Sequence, residues 1–325
     1  MNINIIYAIF IILLLIVIVL KLIGLQFNKF YNNNDLESNK ISMLSYNMFL
    51  IPFSNMKYSS YDQDRTNQLV QYIKNYDVVC LQEVYSMNSA NVKIILEFCE
   101  KNGYNYYYEK LPSFISTSFI NSGLLTISKF KIYDHGFIPF NNNIGYDQLA
   151  EKGILYTQIK INGKSVYIFN THLQAFYKYP IPLEYKAVIR EEVNHIVNNV
   201  KKVSKDNLVI LSGDFNIDND DLNMTGIMET NGLNDVNTYN KHTTTLYYNN
   251  RSNDEILEYK PVMCKRSEND IQHIDHYKKD VKIDYTFYDK RDIKLVESDV
   301  IDFEIKHPYL THLSDHKAVH SKFII

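Results

Sequence analysis

Cysteine is scarce in this chain. Its three residues, Cys80, Cys99 and Cys264, form no CxxC pair, and their number is odd. That excludes a disulfide framework and fits a reducing compartment. A basic excess is also missing. The chain has 34 Lys and Arg against 37 Asp and Glu, a net charge of −3. Proteins whose main partner is a nucleic-acid backbone carry surplus Lys and Arg for the phosphates, so the balance leans away from such a partner. The DxDxDG pattern of an EF-hand is absent, and Asp218, Asp220 and Asp221 read as a solvated loop. No cysteine cluster accompanies the HxxH at His273 and His276, which argues against a closed zinc site. Tryptophan is absent and tyrosine abundant, at 27 residues. With the many Asn, Ile and Lys residues, this reads as genomic base-composition bias. There are no internal repeats. What is there is an ordinary folded composition, 46% apolar and 22% charged over 325 residues.

One segment stands apart. Residues 3–20 (INIIYAIFIILLLIVIVL) carry no charge, and an apolar helix of that length crosses a bilayer core. A cleaved signal peptide has a basic start, a shorter apolar core and a small-residue exit. Here nothing basic precedes the run, and Lys-Leu-Ile-Gly-Leu-Gln follows it. Residues 1–24 are therefore expected to be a transmembrane anchor, 25–40 a polar linker, and 41–325 the catalytic domain. Lys21, Lys29 and Lys40 follow the apolar run, and the positive-inside rule then puts that domain in the cytosol. The sequons at Asn223 and Asn250 oppose this placement.

The rest alternates short apolar runs with amphipathic stretches. Strands are expected at 41–49, 77–84, 122–132, 207–217, 282–288 and 292–303. Helices are expected over 61–76, around 92–99 and over 183–203. A hairpin over 155–173 turns at Asn162-Gly163, a pair suited to the positive φ of a type I′ turn. Residues 218–280 are polar and show few clear elements.

Several apolar strands end in an acid, amide or imidazole: Asn47, Glu83, His172, Asp214 with Asn216, Asp284, and Asp315 with His316. A carboxylate at the end of a buried strand is costly unless a cation or donor meets it. Gathered around one cavity, these groups would make a hard-oxygen site suited to Mg²⁺. The imidazoles would handle protons or the charge on a phosphoryl oxygen.

The segments LSYN, LQE, NTH, SGDFN, KIDY and LSDH, in this order, resemble the motifs of the endonuclease/exonuclease/phosphatase superfamily over about residues 41–325. The resemblance implies an α/β, four-layered sandwich of two mixed β-sheets flanked by helices, preceded here by the N-terminal transmembrane helix. It implies Mg²⁺, with Mn²⁺ able to substitute, held by Glu83 with Asn47 and Asp315 as metal residues. It implies catalytic roles for His172 on the phosphate, Asp214 and Asn216 on the water and phosphate, and His316 as base or phosphate contact oriented by Asp284. How the base role divides between Asp214 and His316 stays open.

Two further stretches are similar to the neutral sphingomyelinase branch: NTHLQAFY (170–177) and EKGILY (151–156). In membrane-anchored members an Asp five residues before that Lys pairs with it as an activation switch, and Asp147 and Lys152 have this spacing. The expected activity is hydrolysis of sphingomyelin to ceramide and phosphocholine by a phosphoric diester hydrolase at a membrane, with a membrane lipid as partner. An abasic-site or non-specific endonuclease and an inositol-phospholipid phosphatase share the catalytic residues. They are opposed by the anchor, the acidic balance and the lack of a dense basic cluster. An inactive membrane-tethered scaffold would show decay at catalytic positions, and none has decayed.

Overall fold

The computed structural model describes residues 7, 15, 29–30, 38–51, 61–109, 112, 118–236, 241–250, 257–260 and 276–325. Apart from Tyr7 and Leu15, the expected membrane helix lies outside them. Among the described residues no helix is long and apolar enough to cross a membrane.

Two six-stranded mixed sheets form the centre. One runs, edge to edge, Lys294–Ile301, Ala318–Ile324, Lys40–Leu50, Val78–Val84, Leu125–Ser128, Asn105–Tyr108. The other runs Leu233–Asp235, Asp284–Asp289, Leu208–Asp214, Lys164–His172, Gly153–Ile161, Ile132–Pro139. The period of two along each strand sorts its side chains between layers. Ile41 and Met43 join Val78 and Cys80 against Ile159, Ile168 and Ile210 of the second sheet. Leu44, Tyr46, Met48 and Leu50 point the other way, toward the helices Asp62–Ile73 and Ser89–Lys101. The long helix Leu183–Val203 covers the outer face of the second sheet through Ile189, Val193, Ile196 and Val200. The result is the four-layered sandwich expected from the motifs.

The expected hairpin is present, with positive φ at Asn162 (50°) and Gly163 (74°). The single strand expected over 122–132 is instead two, Leu125–Ser128 and Ile132–Pro139, in different sheets. The Ser128 hydroxyl causes the break, donating to the Phe130 carbonyl and accepting from the Phe130 N–H, each at 3.0 Å. The polar 218–280 stretch holds more than expected. It supplies the helix Met224–Thr230 and three strands of a further sheet, ordered His276–Val281, Thr244–Asn250, Leu257–Lys260, Lys178–Tyr179. Cys80 and Cys99 are buried free thiols, and Cys264 lies outside the described residues.

Candidate active site

Strand register alone brings three site residues together. In the second sheet His172 pairs with Asp214, and Asp214 pairs with Asp284, across three adjacent strands. Gly213 permits this. Its φ is 154°, and a Cβ there would lie 2.0 Å from the Thr171 carbonyl oxygen. The buried Gln82–Asn170 pair, at 2.8 Å, bridges the two sheets just behind.

The first sheet contributes from across the gap. Alternation aims Asn47 at the second sheet, since Ile41 and Met43 face it too. Glu83 breaks its alternation. Strand parity would send it with Val79 and Leu81 toward the helices. Its φ of 59° turns the carboxylate back into the cleft, a left-handed backbone costing about 1–3 kcal/mol in a non-glycine residue. Asn216, just past the Asp214 strand, has a φ of 52°. Its N–H donates to Asp214 Oδ1 (2.8 Å) and its Nδ2 to the Leu173 carbonyl (2.9 Å).

Asn47 joins the sheets. Its Nδ2 donates to Glu83 Oε1 at 3.0 Å and to Asp214 Oδ2 at 2.9 Å. Its Oδ1 accepts from the Phe49 N–H at 3.0 Å, which fixes which end of the amide faces the carboxylates. Asn47, expected among the metal residues, thus presents nitrogen to the cleft. His316 Nδ1 lies 2.8 Å from Asp284 Oδ2, and its Nε2 lies 3.7 Å from Asp214 Oδ2. His172 Nε2 lies 3.6 Å from Asp214 Oδ2 and 3.9 Å from Glu83 Oε1. Asp315 is buried beside His316, and its backbone carbonyl accepts from Thr244 Oγ1 at 2.7 Å.

The electrostatics follow from crowding. Burial, then the charge of Asp315, pushes Glu83 up to about 7. Burial, then Asp284, pushes Asp214 up to about 6. Burial disfavours a charged His316, but the carboxylates of Asp284 and Asp214 outweigh it and hold the imidazole well above its ordinary value. Burial, with Lys152 and His316 nearby, drives His172 well below its ordinary value, so it is neutral.

A divalent cation suits this arrangement. Glu83 Oε2 and Asp284 Oδ1 are buried and have no hydrogen-bond partner among the described residues. Ligand atoms of Asp214, Asp284 and His316 lie within 4.8 Å of one another. Oxygen-rich, anionic and crowded, the set matches a hard cation such as Mg²⁺.

Asp147 and Lys152 sit beside this cluster. Their ion pair, Lys152 Nζ to Asp147 Oδ2 at 3.4 Å, is buried. Lys152 also donates to the Leu173 carbonyl at 2.8 Å. Asp147 Oδ2 accepts from the Ala175 N–H at 2.6 Å and from Gln174 Nε2 at 2.9 Å. The pair therefore brackets the segment directly after His172. Glu192, from the long helix, accepts from the Gln174 N–H at 2.9 Å. The sequence gives no expectation for Glu192 or for the Gln82–Asn170 pair. The QE and NT inside two motifs are the available signal for the pair, and Glu192 has none.

A family model described as Endonuclease/Exonuclease/phosphatase family matches residues 44–316. Among characterised proteins, the chain is 28% identical over 198 residues to a Bacillus cereus sphingomyelinase C, covering 56% of this chain and 58% of that protein. It is 27% identical over 221 residues to a Staphylococcus aureus phospholipase C, covering 63% and 65%. The chain thus spans under two thirds of the length of either. Among solved structures, a doubly substituted S. aureus beta toxin with bound magnesium ions superposes with a TM-score of 0.61 at 22% identity, covering 87% of this chain and 99% of that one. With the family model spanning every motif from Leu44 to His316, this chain belongs to the endonuclease/exonuclease/phosphatase family.

Proposed function

We propose that this protein is a Mg²⁺-dependent phosphodiesterase that hydrolyses sphingomyelin to ceramide and phosphocholine at a membrane. The observation that carries it is the convergence of Glu83, Asp214, Asp284, His172 and His316 on one buried cluster, with His316 held by Asp284 at 2.8 Å. The sphingomyelinase and phospholipase C names of the relatives favour a lipid phosphodiester. The magnesium in the beta toxin structure favours that metal.

The residues would divide the work as follows. Glu83 would hold the cation through its unpartnered Oε2, with Asp315 beside it. Bound there, Mg²⁺ would neutralise negative charge on the phosphoryl oxygens and keep the crowded carboxylates ionised. Neutral His172 would donate an N–H to a phosphoryl oxygen. The attacking water would sit against Asp214 Oδ2 and His316 Nε2, which are 3.7 Å apart. Asp284 would keep the charged His316 ring oriented toward that water, whose proton would pass to the Asp214 carboxylate. Asp147 and Lys152 would act as a switch by clamping or releasing residues 173–175. Residues 1–24 would anchor the enzyme to the membrane with its catalytic domain in the cytosol.

Detergent-solubilised full-length protein, Mg²⁺ and sphingomyelin micelles test the proposal, with EDTA as control. Mg²⁺-dependent phosphocholine release is expected. Silence on sphingomyelin, with cleavage of abasic DNA or an inositol phospholipid instead, would overturn the substrate and keep the site.

A further inference from the structure

Arg65 is a fully buried arginine that the reaction scheme above does not use. It sits one turn into the helix Asp62–Ile73, behind the first sheet. Four of its five N–H donors are engaged. Nη1 donates to the carbonyls of Met48 (2.7 Å) and Leu313 (2.6 Å), and Nη2 donates to the Phe49 carbonyl (2.8 Å) and Asp62 Oδ1 (2.6 Å). Asp62 is held in turn by Asn88 Nδ2 at 2.9 Å.

The three carbonyls belong to two segments far apart in sequence, the irregular end of the Lys40–Leu50 strand and the loop that leads into Ala318–Ile324. Met48 and Phe49 follow Asn47 directly. Phe49 has a φ of 50°, a conformation that an aromatic residue does not adopt without support. In that conformation its N–H reaches Asn47 Oδ1, and so turns Asn47 Nδ2 onto Glu83 and Asp214. Leu313 opens the Leu313–His316 loop, whose Ser314 hydroxyl accepts from the His316 N–H at 3.2 Å. One planar cation therefore reaches the Asn47 side of the cleft and the His316 side together.

Simple burial of a helix arginine does not explain this. Transferring a guanidinium from water costs several kcal/mol unless its donors are met, and one carboxylate would suffice for the charge. Here one carboxylate neutralises it, and three donors are directed to backbone that shapes the site. The fork spreads these carbonyls over two fixed nitrogens, where an ammonium would have to reach all of them from one.

We propose that Arg65 is a positioning residue, whose guanidinium bonds to the Met48, Phe49 and Leu313 carbonyls hold the Asn47 end of the Lys40–Leu50 strand and the Leu313–His316 loop in one register. The kinetic arm of the test rests on the proposed activity, and the structural arm does not. The variant is Arg65→Lys in the full-length protein, with two readouts. One is kcat and KM for Mg²⁺-dependent sphingomyelin hydrolysis. The other is amide exchange in peptides covering 47–50 and 313–316. The expected result is a fall in kcat of about tenfold to a hundredfold with little change in KM, as for a small misplacement of reacting groups. Both peptides should exchange faster together, while the Leu183–Val203 helix stays protected. A merely structural arginine would speed exchange across the whole domain and leave kcat of the folded fraction unchanged, which would overturn the proposal. So would faster exchange in only one of the two peptides.

If Arg65→Lys does not fold, Asp62→Asn keeps the fork and loosens its anchor. It should speed exchange in the same two peptides and lower kcat severalfold, and protection unchanged in both would refute the coupling. Should the wild type itself prove inactive on sphingomyelin, the substrate reading fails, and the exchange arm still decides the role of Arg65.

Discussion

Lys152 and Asn216 meet on one atom. The lysine ammonium and the asparagine Nδ2 donate to the same Leu173 carbonyl, at 2.8 and 2.9 Å. A residue of the expected switch and a residue of the SGDFN motif thus share one acceptor. Lys152→Met keeps the apolar stem and deletes both the shared bond and the partner of Asp147. We expect activity to fall by about tenfold to a hundredfold as Asn216 and the His172 loop lose their support. Unfolding free energy should drop by about 3 kcal/mol, because Asp147 is left buried without its cation. Phosphocholine release and urea denaturation of the same preparation check both. Full activity in a folded variant would show that the Leu173 carbonyl transmits nothing.

Glu83→Gln should separate stability from function. The carboxylate is pushed up to about 7 by burial and by Asp315, so without a cation its charge opposes folding near neutral pH. Removing that charge is expected to raise metal-free stability by about 1 kcal/mol. It should also abolish Mg²⁺ binding by calorimetry and lower activity by about a thousandfold or more. A variant that still binds Mg²⁺ with wild-type affinity would remove Glu83 from the metal site.

His316 and Asp284 should behave as one unit. His316→Ala is expected to cost about a thousandfold in kcat and Asp284→Asn about a hundredfold. The double variant should be scarcely worse than His316→Ala, because Asp284 acts through the ring it orients. Additive losses across the four enzymes would mean that the two residues work separately.

Glu192 gives a pH signature from outside the metal cluster itself. Burial raises its carboxyl to about 8, from an ordinary value of 4.5. Between those values the unfolded chain is ionised there and the folded chain is protonated. The unfolded state then binds fewer protons, so stability from this group falls as pH rises through the window and levels off above it. Glu192→Gln keeps an acceptor for the Gln174 N–H and should flatten that slope by about 1 kcal/mol per pH unit. Urea denaturation from pH 5 to 9 reads the difference, and identical slopes would disprove the assignment.

The parts that sequence made legible share one physical origin. His172 and Asp214 close buried apolar strands, Asp284 opens one and Asn47 lies near the end of another, so a polar residue beside an apolar β-run announced them, and strand register did the rest. Local backbone conformation was not legible. Nothing in LQEV signals the positive φ that re-aims Glu83, and nothing in SYNMF shows that Asn47 turns nitrogen toward the cleft. Arg65 was invisible for a different reason. An arginine in the first turns of a helix reads as a solvated charge, and only tertiary packing shows carbonyls around it. The strands at 244–250, 257–260 and 276–281 were missed because polar strands lack the apolar period that identifies one.

The Lys40–Leu50 strand lies between Val78–Val84 and Ala318–Ile324, with Lys40 opposite Ile324. Of these two neighbours, Val78–Val84 follows soon in the chain and Ala318–Ile324 only after the whole second sheet has been made. Until it emerges from the ribosome, the strand that carries Asn47 has an unpaired edge, and His316 has not yet joined Asp284. The cleft therefore cannot assemble before residues 316–324 emerge, and its acids and imidazoles stay apart until then.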